Sequence, residues 1–167
     1  MQLDLKQAFQ LEGERVPIDA ELDFSSLELD GAYPIPEPVK VTGLVENQNM
    51  VVVLRYRIRV GYTRACDRCL DMAHEDFDYS FSHILAAEDS GDTSDEIVVI
   101  PDFRLDLDEL VREDIVLELP TKFLCSSECK GLCQKCGCNL NHTSCDCTLD
   151  EPDPRLAALR ELLKKGG

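Results

Sequence analysis

The sequence predicts an α+β protein. It has an antiparallel, β-rich body with a hairpin tipped by a Cys-x-x-Cys turn, one packed helix, and a small cysteine-rich C-terminal segment ending in a short helix. Three observations predict this. Alternating apolar and polar residues dominate the first half of the chain, a capped amphipathic stretch follows, and seven of the nine cysteines crowd between Cys125 and Cys147. The expected division is a body at residues 1–124 and a cysteine-rich segment with its terminal helix at residues 125–167.

Ile18, Ala20, Leu22 and Phe24 alternate with Asp19, Glu21 and Asp23, the pattern of a half-buried strand. Pro34, Pro36 and Pro38 exclude a central strand and imply an extended linker or an edge. Val39, Val41 and Val45 indicate a second strand, and Glu46-Asn47-Gln48-Asn49 a polar turn. Two alternating runs then flank Cys66-Asp67-Arg68-Cys69. A symmetric turn there sets Arg59 beside Asp76 and Arg57 beside Asp78, with Ile58 against Phe77 and Tyr56 against Tyr79, so that every cross-strand pair matches in polarity. On this register aspartates neutralise most of the arginine stripe. Arg55, Arg64 and Arg68 lack an obvious partner and are the candidates for contact with nucleic acid.

Residues 86–96, AAEDSGDTSDE, read as an acidic loop, and Ile97 to Ile100 as a short strand closed by Pro101. Asp106, with Glu109 three residues on, forms a capping-box-like start for a helix ending near Pro120, whose Leu107, Leu110, Val111 and Ile115 face the core. Asp153 and Pro154 start a last helix with a stripe at Leu156, Leu159, Leu162 and Leu163, short enough to require docking on the body or on a partner.

Composition limits the function. No stretch approaches the roughly 18 apolar residues of a membrane span, and the N-terminus MQLDLKQAFQLEGE lacks the pattern of a secretory signal. The expected location is the cytoplasm, without a membrane partner. A net charge of −16 repels polyanions at long range and suits a basic protein partner. No phosphate-cradling glycine loop is present, and three scattered histidines form no nucleophile–base pair, so neither an enzyme nor a small-molecule substrate is expected.

Nine cysteines are an odd number, and tight spacing in a chain without an export signal points to metal ligands rather than disulfides. Cys133-Gln134-Lys135-Cys136-Gly137 resembles a zinc knuckle, in which backbone N–H groups of a tight turn point at two thiolates and Gly137 accommodates a positive φ. Cys66 and Cys69 share the spacing. Eight cysteines make two four-thiolate zinc sites: Cys66, Cys69, Cys125 and Cys129 in one, and Cys133, Cys136, Cys145 and Cys147 in the other. Each unit carries about −2, taking the chain to about −20 with two structural ions. Cys138 is the spare, and His142 or Cys138 is an alternative to one member of the Cys145-x-Cys147 pair. His74 and His83 are expected to be satisfied surface residues. A closed four-thiolate site has no open position for Lewis-acid chemistry. The alternative is a zinc- and thiol-based redox or chaperone protein, with its Cys-x-x-Cys thiols metal-free in at least one state.

CDRCL at Cys66–Leu70, LELPTKFLCSSECKGLCQKCGCNLN at Leu117–Asn141 and DPRLAAL at Asp153–Leu159 together resemble the YceD family of bacterial and plastid proteins, associated with accumulation of large-subunit ribosomal RNA. The resemblance implies a non-catalytic role in 23S rRNA maturation or stability. Its implied partners are a large-subunit ribosomal protein, the 23S rRNA precursor, or both.

Overall fold

From Leu54 to Tyr62 large apolar residues alternate strictly with Arg55, Arg57, Arg59 and Gly61, so this stretch can only present two unlike faces. In the computed structural model, which describes residues 1–87 and 97–147, Leu54, Tyr56, Ile58, Val60 and Tyr62 are buried while Arg55, Arg57 and Arg59 face outward. This strand, β4 (Val51–Ala65), is the middle of a five-stranded sheet. Its order is β2 (Arg15–Leu22), β3 (Val39–Gln48), β4, β5 (Met72–Ala86) and β6 (Ile97–Val99). A two-stranded ribbon pairs β1 (Gln2–Asp4) with β7 (Arg104–Asp106). Helix α1 (Lys6–Gln10) follows β1, and helix α2 (Leu107–Glu118) follows β7. The chain divides into two units, Met1–Arg64 with Ala73–Lys122, and Ala65–Met72 with the described residues from Phe123 on.

Helix α2 starts where the sequence predicts. The Asp106 carboxylate accepts from the N–H groups of Asp108 and Glu109, capping the first turn. The helix buries Leu107, Leu110, Val111 and Ile115, each contributing about 1.5–3 kcal/mol of apolar burial. It also buries Asp114. That carboxylate accepts from the Tyr56 hydroxyl on β4 and lies 2.8 Å from His83 Nε2 on β5, so one polar group ties the helix to two strands. Burial, and then this carboxylate, hold the Tyr56 phenol protonated far above its ordinary range. His83 is therefore a core residue and not a surface one; its ring lies 6.1 Å from that of Tyr56, a diagonal neighbour on the same face of the sheet.

Several other expectations need correction. The turn at 46–49 shrinks to Asn49-Met50, both at positive φ, because Glu46 and Asn47 are buried strand residues. The Asn47 amide donates to the Ala8 carbonyl and Glu46 takes the Arg15 guanidinium. Strand β6 runs parallel to β5, so the sheet is mixed; alternation does not report strand direction. None of β1, α1 and β7 carries a periodic pattern long enough to announce it in the sequence. The terminal helix from Asp153 and nearly all of the acidic loop lie outside the described residues.

The hairpin keeps its predicted faces but not its pairing. Arg59 reaches Asp78 at 3.5 Å, Arg57 Nε donates to Ser80 Oγ at 3.3 Å, and Tyr56 meets Phe81 at 5.3 Å between ring centroids. Every partner is two residues further along β5 than the symmetric turn requires. The cause is local: the turn closes between Ala65 and Met72, with the Cys66 N–H donating to the Asp71 carbonyl at 2.8 Å, so it spans Cys66–Asp71 rather than Cys66–Cys69. A shift of two preserves the faces, as strand geometry demands.

The Asp114 network gives a direct test. Tyr56→Phe should cost about 1 kcal/mol, while Asp114→Ala, which strands both the hydroxyl and the imidazole, should cost about 3 kcal/mol. Urea unfolding of the two variants checks this, and equal losses would contradict the shared role of the carboxylate.

Candidate metal centres

The second unit is built on two turns of the same design. In the first, the Leu70 N–H donates to the Cys66 carbonyl at 2.9 Å and the Cys66 N–H to the Asp71 carbonyl at 2.8 Å. In the second, the Gly137 N–H donates to the Cys133 carbonyl at 2.9 Å and the Cys133 N–H to the Cys138 carbonyl at 2.8 Å. Leu70 at φ 63° stands where Gly137 stands at φ 72°. Cys138 thus occupies the place of Asp71. It closes the turn with its backbone, and its N–H donates to the Cys136 sulfur as the Asp71 N–H donates to that of Cys69. Laying CDRCLD over CQKCGC makes this match visible in the sequence.

The sulfurs of Cys66, Cys69, Cys125 and Cys129 lie within 4.8 Å of one another, and so do those of Cys133, Cys136, Cys145 and Cys147. Within the first group Cys66 and Cys129 Sγ are 3.8 Å apart and Cys69 and Cys125 Sγ 3.6 Å, far beyond the roughly 2.05 Å of a disulfide. A tetrahedral ion with metal–sulfur bonds of about 2.3 Å requires sulfurs about 3.8 Å apart. Both groups could therefore hold a metal ion. Cys138 and His142 belong to neither group; the His142 Nε2 lies 3.0 Å from the Asp71 carboxylate instead.

Charge within the groups is unevenly shared. Burial opposes the Cys66 thiolate, but N–H groups of Cys125, Arg68 and Cys69 donate to it, and its pKa falls to about 6. The Asn141 amide, 3.3 Å away, lowers Cys129. Cys69 rises despite the Asp71 N–H, through burial and its sulfur neighbours, and Cys69 and Cys129 push Cys125 up to about 12. The second group repeats the split. N–H groups of Cys136 and Lys135 lower Cys133 to about 6, while the neighbouring Cys136 sulfur raises Cys147 to about 12 and Cys138 to about 11. Without a cation each group ionises only in part; a divalent ion removes that conflict.

Further contacts fix the first group. Cys66, Cys69 and Cys129 are buried against Leu124 and Leu132. The Asp67 carboxylate accepts from the Phe123 N–H at 2.7 Å, and the Arg68 guanidinium donates to the Cys129 carbonyl at 2.9 Å. Asp71 also takes the Asn139 amide at 2.8 Å, and His142 and Asn139 hold its carboxyl below the usual range. Spacing alone did not identify Asp67, Asp71, Asn139 or Asn141 as supporting residues. Arg68 is occupied here, and Arg64 lies 3.9 Å from Asp30, so of the three arginines expected to lack partners these two have them.

The family described as large ribosomal RNA subunit accumulation protein YceD matches residues 54–163, which contain all nine cysteines. The chain belongs to the YceD family. The matched YceD span begins in β4 and leaves out β1 to β3. A chloroplastic YCED homolog 1 of Arabidopsis thaliana, named for large ribosomal RNA subunit accumulation, is 28% identical over 78% of this chain, which spans only 50% of that relative's length. The Bacillus subtilis protein YlbN is 27% identical over 99% of this chain and 98% of its own. The Zea mays homolog 1 is 29% identical over 77% of this chain and 55% of its own. No solved structure gives a significant match. The YceD description names an accumulation factor and no catalytic activity. Among the described residues no helix is long and apolar enough to cross a membrane.

Gly131, at φ 74°, passes over the first turn with its added Cβ position 3.1 Å from the Arg68 carbonyl oxygen, whereas Gly137 has open space around it. Gly137→Ala should therefore cost about 1 kcal/mol from backbone strain alone, and Gly131→Ala more. Urea midpoints of the two variants measure this, and an unchanged midpoint for Gly131→Ala would contradict the packing of that turn.

Proposed function

We propose that this chain is a non-catalytic factor that supports accumulation of 23S rRNA and assembly of the large ribosomal subunit. In this reading it binds a large-subunit ribosomal protein, the rRNA precursor or both, acts in the cytoplasm, and contains two structural zinc ions. Cys66, Cys69, Cys125 and Cys129 hold one ion, and Cys133, Cys136, Cys145 and Cys147 the other. The observation that carries the reading is family membership over a span that contains both cysteine groups. The donor set supports zinc, since four thiolates at tetrahedral spacing suit that ion and leave no open position. The net charge of −16 favours a basic ribosomal protein as a direct partner.

A thiol-based redox or chaperone function is the second reading. Cys138, whose sulfur neighbours those of Cys136 and Cys145, is the feature that favours it, because a spare thiol beside a cluster can form a disulfide on oxidation. It requires metal release by mild peroxide; retention of both ions under that treatment counts against it.

Depletion of the protein in its host should lower 23S rRNA and free 50S particles relative to 30S. Normal subunit ratios and normal precursor levels after depletion would sink the assembly role. Metal analysis should find two zinc ions per chain. Cys66→Ser and Cys125→Ser should each lose the same single ion, and Cys138→Ser none.

A further inference from the structure

The two-residue displacement of the hairpin changes what the arginine stripe can do. It gives Asp78 to Arg59 and leaves Arg57 opposite a serine. Across the sheet Arg57 pairs with Thr42 on β3, and Arg55 with Leu44. Among the described residues neither Arg55 nor Arg57 has a carboxylate in ion-pair contact. Glu46, the acid whose field reaches Arg55, already holds Arg15 and Gln48. A depression of about 520 Å³ opens at this place, and Thr42, Arg55, Arg57, Ser80 and Ser82 line it.

We infer that this depression on the outer face of the sheet binds consecutive phosphates of an RNA strand through Arg55 and Arg57, with Thr42, Ser80 and Ser82 donating to the same oxygens. The choice of RNA rests on the proposed role in rRNA accumulation. Three features fit a phosphate backbone. The polar side chains lining the site are hydrogen-bond donors, and the charged ones are all cations, as a phosphodiester requires. Arg55 and Arg57 project from alternate residues of one strand, about 6.6 Å apart, so they meet a linear chain of anions. The outward side chains there include no exposed aromatic anchor, which a protein partner's hot spot would use; Tyr56 and Phe81, which also border the depression, pack on each other on the sheet's other face. Asp19, beyond Thr42, and Asp78, on Arg59, border the site with negative charge. Together with the net charge of −16 they confine polyanion binding to this short stretch. Binding is therefore weak, short and indifferent to base sequence.

The test is fluorescence anisotropy of the full, zinc-loaded chain with an unstructured single-stranded RNA of about 12 nucleotides. Two phosphate contacts predict a slope of about −1.4 for log affinity against log salt, a loss of about sevenfold between about 50 and 200 mM salt. Arg57→Gln should halve the slope to about −0.7, and Arg55→Gln with Arg57→Gln should bring it near zero. The exposed α2 variant Arg112→Gln should match wild type. No RNA binding by wild type, an unchanged slope in the double variant, or equal binding of a polyglutamate peptide overturns the inference, the last assigning the site to an acidic protein segment. Complementation in a depletion strain separates the two levels of the account. If wild type and the double variant both restore 23S rRNA, the groove inference fails and the assembly reading stands. If depletion leaves 23S rRNA unchanged, the assembly reading itself fails.

Discussion

Four thiols on Cys66, Cys69, Cys125 and Cys129, three of them on buried residues, cannot all ionise together without a cation. The split between lowered Cys66 and Cys129 and raised Cys69 and Cys125 is the electrostatic record of that conflict. The rest of the second unit depends on its resolution. Its two chain segments are far apart in sequence, with Cys69 and Cys125 separated by 56 residues. Among the described residues the apolar packing on the three buried cysteines comes from Leu124 and Leu132. A cross-link closing a loop of this length restricts the unfolded chain by about 4 kcal/mol on the loop-closure relation for covalent links. The proposed ion acts in the same sense, and it also neutralises thiolates that the backbone N–H groups are already aimed to stabilise.

Much of this was legible in the sequence because thiol chemistry is discrete. Counting limits nine thiols to two sets of four with one spare, and Cys-x-x-Cys spacing favours joining Cys66 and Cys69 to Cys125 and Cys129, but it does not say which of the five thiols from Cys133 to Cys147 stands aside. The start of α2 was legible because Asp106 and Glu109 carry a capping signal, and the faces of β4 because alternation is strict. What escaped was set by hydrogen bonds that spacing does not encode. The Cys66–Asp71 turn closes through a backbone bond two residues beyond the second cysteine, and this moves every cross-strand partner of Arg57 and Arg59. His83 continues the Phe77, Tyr79 and Phe81 face, so alternation turns it inward, but spacing does not encode its partner Asp114, which comes from a distant helix. The direction of β6 has no signature in three residues.

The same turn links the two halves of the functional account. By its length it shifts the hairpin register, and that shift moves Arg57 from a carboxylate to a serine, while Arg55 faces a serine in either register. A four-residue turn would have paired Arg57 with Asp78 and left Arg55 as the one arginine of the β4 stripe opposite a hydroxyl. In the proposed reading a chain that repels nucleic acid as a whole retains one short stretch that attracts it, while its acidic remainder suits a basic ribosomal protein. Cys138 also finds its place: it stands where Asp71 stands in the first turn and contributes its backbone, so a ninth cysteine needs no third site.

X-ray absorption at the zinc edge of the fully loaded chain reads the donor atoms of the two cysteine groups themselves. Two all-thiolate sites should show four sulfur neighbours per zinc at about 2.3 Å and no nitrogen or oxygen neighbour in the coordination shell. A nitrogen neighbour at about 2.0–2.1 Å would place a histidine in a cluster and contradict the all-thiolate assignment of both sites.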